Sequence, residues 1–105
     1  MSKTIRTEII IQSGAAPVWA VLTDLAAHAT WDPFLVAIAG RPVVGERLEV
    51  KFNSGQTARP VVTEVREGRT LEWLGELLAG WIFAARHRFE LVEEGDVTRL
   101  VHSET

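Results

Sequence analysis

The chain has 105 residues, no cysteine and a formal net charge of −3, with acidic and basic residues interspersed. That length suits one domain around a single core, and the composition rules out disulfides, thiolate metal sites and a cysteine nucleophile. No basic stripe runs along the chain to track a phosphate backbone, which argues against nucleic acid as a partner. No apolar run approaches the ~20 residues of a membrane span. Glu8 and Gln12 bracket Ile9, Ile10 and Ile11 and keep that run too short for a signal peptide, so a cytoplasmic protein is expected.

Residues Lys3–Gln12 alternate loosely and carry three consecutive isoleucines, which suits a strand. At Ser13-Gly14-Ala15-Ala16-Pro17 the period switches. Ser13 can cap a helix, and Pro17 is tolerated in a first turn because its missing N–H would be unpaired there. Val18, Trp19, Val21, Leu22 and Leu25 follow at helical spacing and read as core, while Asp24 and His28-Ala29-Thr30 mark a break and a second short turn. Asp24, His28 and Asp32 read as capping or turn residues. Trp31-Asp32-Pro33 ends the helical part, since a residue before proline is pushed out of the α region.

From Phe34 onward the chain reads as strands and turns. Phe34–Ala39 is one strand, closed by Gly40-Arg41-Pro42. A second opens at Val44-Gly45 and runs to about Asn53, with Leu48, Val50 and Phe52 alternating against Arg47, Glu49 and Lys51. Ala58–Arg66 and Thr70–Leu77 form a hairpin around Glu67-Gly68-Arg69, and Gly75 and Gly80 flank a bulge or loop at Glu76–Ala79. Trp81–Val92 and Val97–Thr105 form the last hairpin. With Val92 facing Val97 across a four-residue loop, Phe89 faces Leu100, His87 faces His102 and Ala85 faces Glu104. One face then carries Trp81, Phe83, Ala85, His87, Phe89, Leu91, Thr98, Leu100, His102 and Glu104. The other carries Arg86, Arg88, Glu90 and Arg99. A sheet with so apolar a face must bury it against another layer. One short helical stretch cannot cover it, which leaves a concave surface for a ligand or cover from a second copy.

A strand, two short helical turns and six further antiparallel strands is the order of the helix-grip fold. Pro17-Val18-Trp19-Ala20-Val21-Leu22-Thr23-Asp24 and Trp31-Asp32-Pro33-Phe34 resemble the first third of the START/Bet v 1-like (SRPBCC) superfamily, closest to its polyketide cyclase/dehydrase and lipid-transport-like members. Leu71-Glu72-Trp73-Leu74-Gly75 and Thr98–Thr105 fit the same pattern. The resemblance implies an α+β domain over residues 1–105: a curved antiparallel sheet of about seven strands with two short N-terminal helices. Members of that superfamily normally follow the last strand with a long helix gripped by the sheet. The chain stops at Thr105, so the expectation is a domain truncated at its C-terminus, the gripped helix absent and a homodimer in its place.

Aromatic side chains bury much area at little entropic cost. Trp31, Phe34, Trp73, Trp81, Phe83, Phe89 and Leu100, with His87 and His102, are the candidate ligand-binding residues, against the plainer alternative of a filled core. His87, His102 and Glu104 form the one cluster with chemical potential. Histidine and carboxylate together can bind zinc-like ions, act as an acid–base pair or hydrogen-bond a polar ligand group. The alternative is a partly wet polar end of a strand pair. No metal or other cofactor is assigned.

A cyclase or aromatase reading implies a tyrosine, an arginine and a histidine inside the cavity, but the chain has no tyrosine. Arg86 and Arg88 are placed outside. The expected function is therefore binding or transport of a small hydrophobic molecule, lipid-like or polyketide-like. A cyclase-like enzyme and a self-associating or co-chaperone-like interaction module are the alternatives.

Overall fold

The computed structural model describes residues 4–31, 35–78 and 82–104. β1 (Ile5–Ile11) leads into a helix, α1 (Ala15–Thr23), and a single 3-10 segment, Leu25–Thr30. β2 (Leu35–Ala39), β3 (Glu49–Phe52), β4 (Thr57–Ala58), β5 (Val61–Arg66), β6 (Thr70–Leu78), β7 (Ile82–Glu94) and β8 (Val97–Glu104) follow. The eight strands form two antiparallel sheets among the described residues, β1-β8-β7-β6-β5 and β2-β3-β4. The expected single sheet of about seven strands is thus corrected to eight in two sheets. Phe34 and Trp81, with Asp32 and Pro33, lie outside the described residues.

The extra division comes from Arg59-Pro60, which interrupts the expected Ala58–Arg66 strand. Proline brings no N–H to a ladder. The residues before it pair with β3 and those after it with β6. The expected strand from Val44 also shortens to Glu49–Phe52, because residues 43–46 form a turn in which the Glu46 N–H donates to the Val43 carbonyl. The alternation survives, with Leu48 and Val50 buried between exposed Arg47, Glu49 and Lys51.

The helical stretch breaks at Asp24, as its sequence indicates. Ser13 does not cap it. Gly14 holds the N-cap position, and the Ala15 N–H donates instead to Glu93 Oε2 at 3.4 Å. His28 is a core residue rather than a surface turn residue. It is 2% exposed, and its Nε2–H donates to the Leu22 carbonyl at 2.6 Å, tying the 3-10 segment to the end of α1.

The main core gathers Leu22 and Leu25 from the helical layer, Ile38, Leu48 and Val50 from the smaller sheet, and Val62, Leu71, Trp73 and Phe89 from the larger one. A second cluster, Ala15, Val18 and Leu91, seats α1 on the larger sheet. Val21 departs from the expectation of core: it is 57% exposed on α1.

The last hairpin closes through the two residues Gly95 and Asp96, so that Glu94 pairs with Val97. Gly95 has φ of 66°, the left-handed conformation that a tight two-residue turn requires and that glycine adopts without a Cβ penalty. The ladder therefore extends further toward its turn than the expected four-residue loop allows. Leu91 faces Leu100, Phe89 faces His102 and His87 faces Glu104. The displacement is two residues, one full pleat period, so each strand keeps its expected faces.

Candidate functional site: a groove between the sheet and α1

Strand pairing lines up β1 beside β8: Thr7 opposite His102, Ile9 opposite Leu100, and Ile11 opposite Thr98. Side chains two apart share a face, so Thr7, Ile9 and Ile11 stand in rows with Leu100, His102 and Phe89. These side chains, Ser13 and Trp31, and Pro17, Val18, Val21 and Leu22 of α1 enclose an open groove of about 500 Å³. Ile9 is 55% exposed and Trp31 49%, although both belong to this apolar lining. Volumes of 300–1,000 Å³, mostly apolar with a few polar groups, are typical of small-molecule sites.

Rings continue from the groove into the core. His102 stacks on Phe89 with centroids 4.5 Å apart and planes 2° apart, and Phe89 lies 5.4 Å from Trp73. Trp73 neighbours His87 at 6.0 Å and His28 at 6.3 Å, and His28 meets Trp31 at 4.5 Å.

Thr7 and His102 stand at one end of the groove, and Ser13 at the other. His87 and His102 are diagonal neighbours across β7 and β8 rather than directly opposite, yet Nδ1 of His87 lies 3.4 Å from Nε2 of His102. Glu104, directly opposite His87, places Oε1 3.8 Å from its Nε2. The structure therefore brings the three together. No group of three or more His, Asp or Glu among the described residues is arranged to hold a metal ion.

Of the other residues singled out from sequence, Trp31, Phe89, Leu100 and His102 line the groove. Trp73 is 9% exposed and packed into the core beneath it, and His87 stands behind His102. The side chain of Phe83 lies outside what is described, as do Phe34 and Trp81. Sequence reasoning assigned none of Thr7, Ile9, Ile11, Ser13, Pro17, Val18, Val21 and Leu22 to the site. The alternation of Thr7, Ile9 and Ile11 was available as a signal; their pairing with β8 was not.

The opposite face of the sheet is charged. Arg88 donates to Glu64 and Glu72 at 2.9 Å and to Glu90 at 3.0 Å, Arg66 Nε lies 2.8 Å from Glu64, and Arg86 Nε lies 3.6 Å from Glu72. Hydrogen bonding from Arg88 is the main cause that holds the Glu64 carboxyl below its ordinary value, and its carboxylate partners push the Arg88 guanidinium further up. This face is an ion-pair network around the buried Glu72, with its arginines directed away from the groove.

Comparison with solved structures gives the same fold. Protein MLL2253 from Mesorhizobium loti superposes with a TM-score of 0.83 at 20% identity, over 98% of this chain and 76% of its own. DynU16, described as a putative protein in the dynemicin biosynthetic locus, gives 0.82 at 17% identity, over 100% of this chain but only 38% of its own. The Aha1 dimer from Colwellia psychrerythraea gives 0.76 at 20% identity, over 99% of this chain and 76% of its own. No functionally curated protein matches in sequence. No helix among the described residues is long and apolar enough to cross a membrane. The sequence profile of one family, polyketide cyclase/dehydrase and lipid transport, matches residues 2–105, and the chain belongs to that family of the SRPBCC superfamily.

Proposed function

We propose that this protein binds a small, mainly apolar molecule in the groove between α1 and strands β1, β8 and β7. The observation that carries the reading is the groove itself: about 500 Å³, walled by aliphatic and aromatic side chains, with its polar groups confined to a few positions. Family membership supports it, since the family is described by cyclisation, dehydration and lipid transport. The test is titration with 2-naphthol followed by the probe's own fluorescence. Saturable one-to-one binding is expected, and Ile9→Glu, which puts a carboxylate into the lining at an exposed position, abolishes it. Absence of saturable binding to the wild-type protein rejects the reading.

The exposure of Ile5 (61%), Ile9 (55%) and Val21 (57%) favours a second reading, self-association. Burying apolar surface is worth roughly 25 cal/mol per Å², and large exposed apolar patches favour association. The Colwellia psychrerythraea Aha1 structure is a dimer, which supports the same idea. Native mass spectrometry tests it: a dimer that Ile9→Glu converts to monomer is expected, and a wild-type monomer at high concentration rejects it.

A further inference from the structure

We propose that two copies of this protein join along the outer edge of β1, strand against strand, about a two-fold axis at Thr7. This rests on the self-association reading and gives it a surface and a register.

β1 is the terminal strand of the larger sheet among the described residues, and every residue from Ile5 to Ile10 is exposed. Such an edge templates further pairing: it contains no proline, and its seven residues pair with β8 without a register shift. The opposite edge is already taken. There the Gly45 N–H donates to the Val62 carbonyl, the Val62 N–H donates to the Glu46 carbonyl, and Arg47 bridges Val61. Pairing of β1 with β1 is isologous and closes at two copies.

The sequence of the edge selects the register. Residues that face each other across an antiparallel pair lie on the same side of the sheet. A two-fold axis normal to the sheet therefore passes between one residue and its own copy. In Ile5-Arg6-Thr7-Glu8-Ile9, opposite charges and matched isoleucines stand at equal distances from Thr7. With the axis there, Arg6 faces Glu8 of the second copy, Glu8 faces its Arg6, and Ile5 and Ile9 meet twice. Moving the axis by one residue sets Arg6 against Arg6 or Glu8 against Glu8, and like charges directly opposite are destabilising. Moving it to Ile9 sets Glu8 against Ile10. Arg6 and Glu8 lie 3.0 Å apart within one chain, so the Thr7 register joins four alternating charges into one cluster. On the groove side, Ile5 of the second copy stands beside Ile9, which is 55% exposed in the single chain. It lengthens the wall that Thr7, Ile9 and Ile11 give the groove.

Charge exchange and mixing test this, read by native mass spectrometry and analytical ultracentrifugation. The wild-type protein is expected to be a dimer. Arg6→Glu alone and Glu8→Arg alone each set like charges across the axis twice, and each is expected to dimerise about tenfold more weakly. Mixed together, the two variants form a heterodimer of wild-type affinity, because every pair across the axis is again opposite in sign. Recovery on mixing also shows that each variant is folded. Thr7→Cys, the sole cysteine of its chain, is expected to form a disulfide dimer on mild oxidation. Ile10→Cys, about 20 Å from its own copy in this register, is not. A dimer indifferent to both charge exchanges, single variants that pair with themselves as tightly as with each other, or cross-linking of Ile10→Cys in preference to Thr7→Cys overturns the inference while leaving self-association intact. A wild-type monomer at high concentration overturns the self-association reading as well.

Discussion

The hydroxyl of Thr98 donates to the carbonyl of Ser13 at 2.8 Å, across eighty-five positions of sequence, and Thr98 is fully buried. The bond fastens the start of β8 to the corner where β1 turns into α1, and so sets one wall of the groove against the other. Thr98→Val keeps the shape and removes the donor, leaving the Ser13 carbonyl without it. A loss of about 1–3 kcal/mol is expected, read as a lower urea midpoint at unchanged slope.

Gly40 ends β2 with φ of 128°, and a Cβ built there would lie 2.6 Å from Leu48 Cδ2 and 3.2 Å from Leu48 Cα. Leu48 is fully buried and its N–H is held by the Pro60 carbonyl, so it has little room to yield. Gly40→Ala is expected to destabilise by about 1–3 kcal/mol through backbone strain. The same substitution at Gly55, where a Cβ would meet nothing within 4 Å but φ is also positive, serves as the comparison and is expected to cost less.

His28 fills core space and satisfies the Leu22 carbonyl at once. His28→Ala creates a cavity and leaves a buried acceptor unpaired, for an expected cost of about 2–4 kcal/mol. Because His28 packs on Trp31 at the groove, the variant is also expected to weaken probe binding in protein that remains folded. Thermal unfolding and 2-naphthol titration of the same preparation separate the two effects.

Acid destabilises this protein partly through Glu64. Its folded carboxyl titrates below the ordinary value of 4.5, chiefly because Arg88 hydrogen-bonds it. A depressed carboxylate stabilises the folded state fully above the ordinary value, and that contribution is lost as pH falls through the folded value. Glu64→Gln is therefore expected to flatten the decline of stability below pH 4.5, measured by urea unfolding in steps from neutral pH downward. Arg88→Met removes the shared partner of Glu64, Glu72 and Glu90, with an expected loss of about 2 kcal/mol at neutral pH.

Elements with a clean period were legible in the sequence. The break at Asp24, the alternation of Leu48 and Val50, and the separation of His87 and Phe89 from Arg86 and Arg88 follow from local spacing alone. The division into two sheets was less accessible, since Arg59-Pro60 reads equally as a bulge within one strand. The hairpin register depended on whether Gly95 opens a two-residue turn or belongs to a longer loop, a choice local sequence leaves open. The groove was half legible: Phe89, Leu100 and His102 announced it from the last hairpin. Its other wall depended on β1 crossing the whole chain to pair with β8, and no spacing within Thr7–Ile11 states that partner. His28 was misread because a histidine beside a helix end is ordinarily wet; here the Leu22 carbonyl gives it a reason to be inside.

The chain of rings through Trp31, His28, Trp73, Phe89 and His102 makes the protein its own optical instrument. Of the four tryptophans, Trp31 samples the groove, while Trp73 senses both the core and the His87 ring, so these two report on different events. Occupancy changes the first with the second nearly still, and unfolding changes both together. Replacing Trp19, Trp31 and Trp81 by phenylalanine isolates the buried reporter and lets stability be followed in the presence of any ligand.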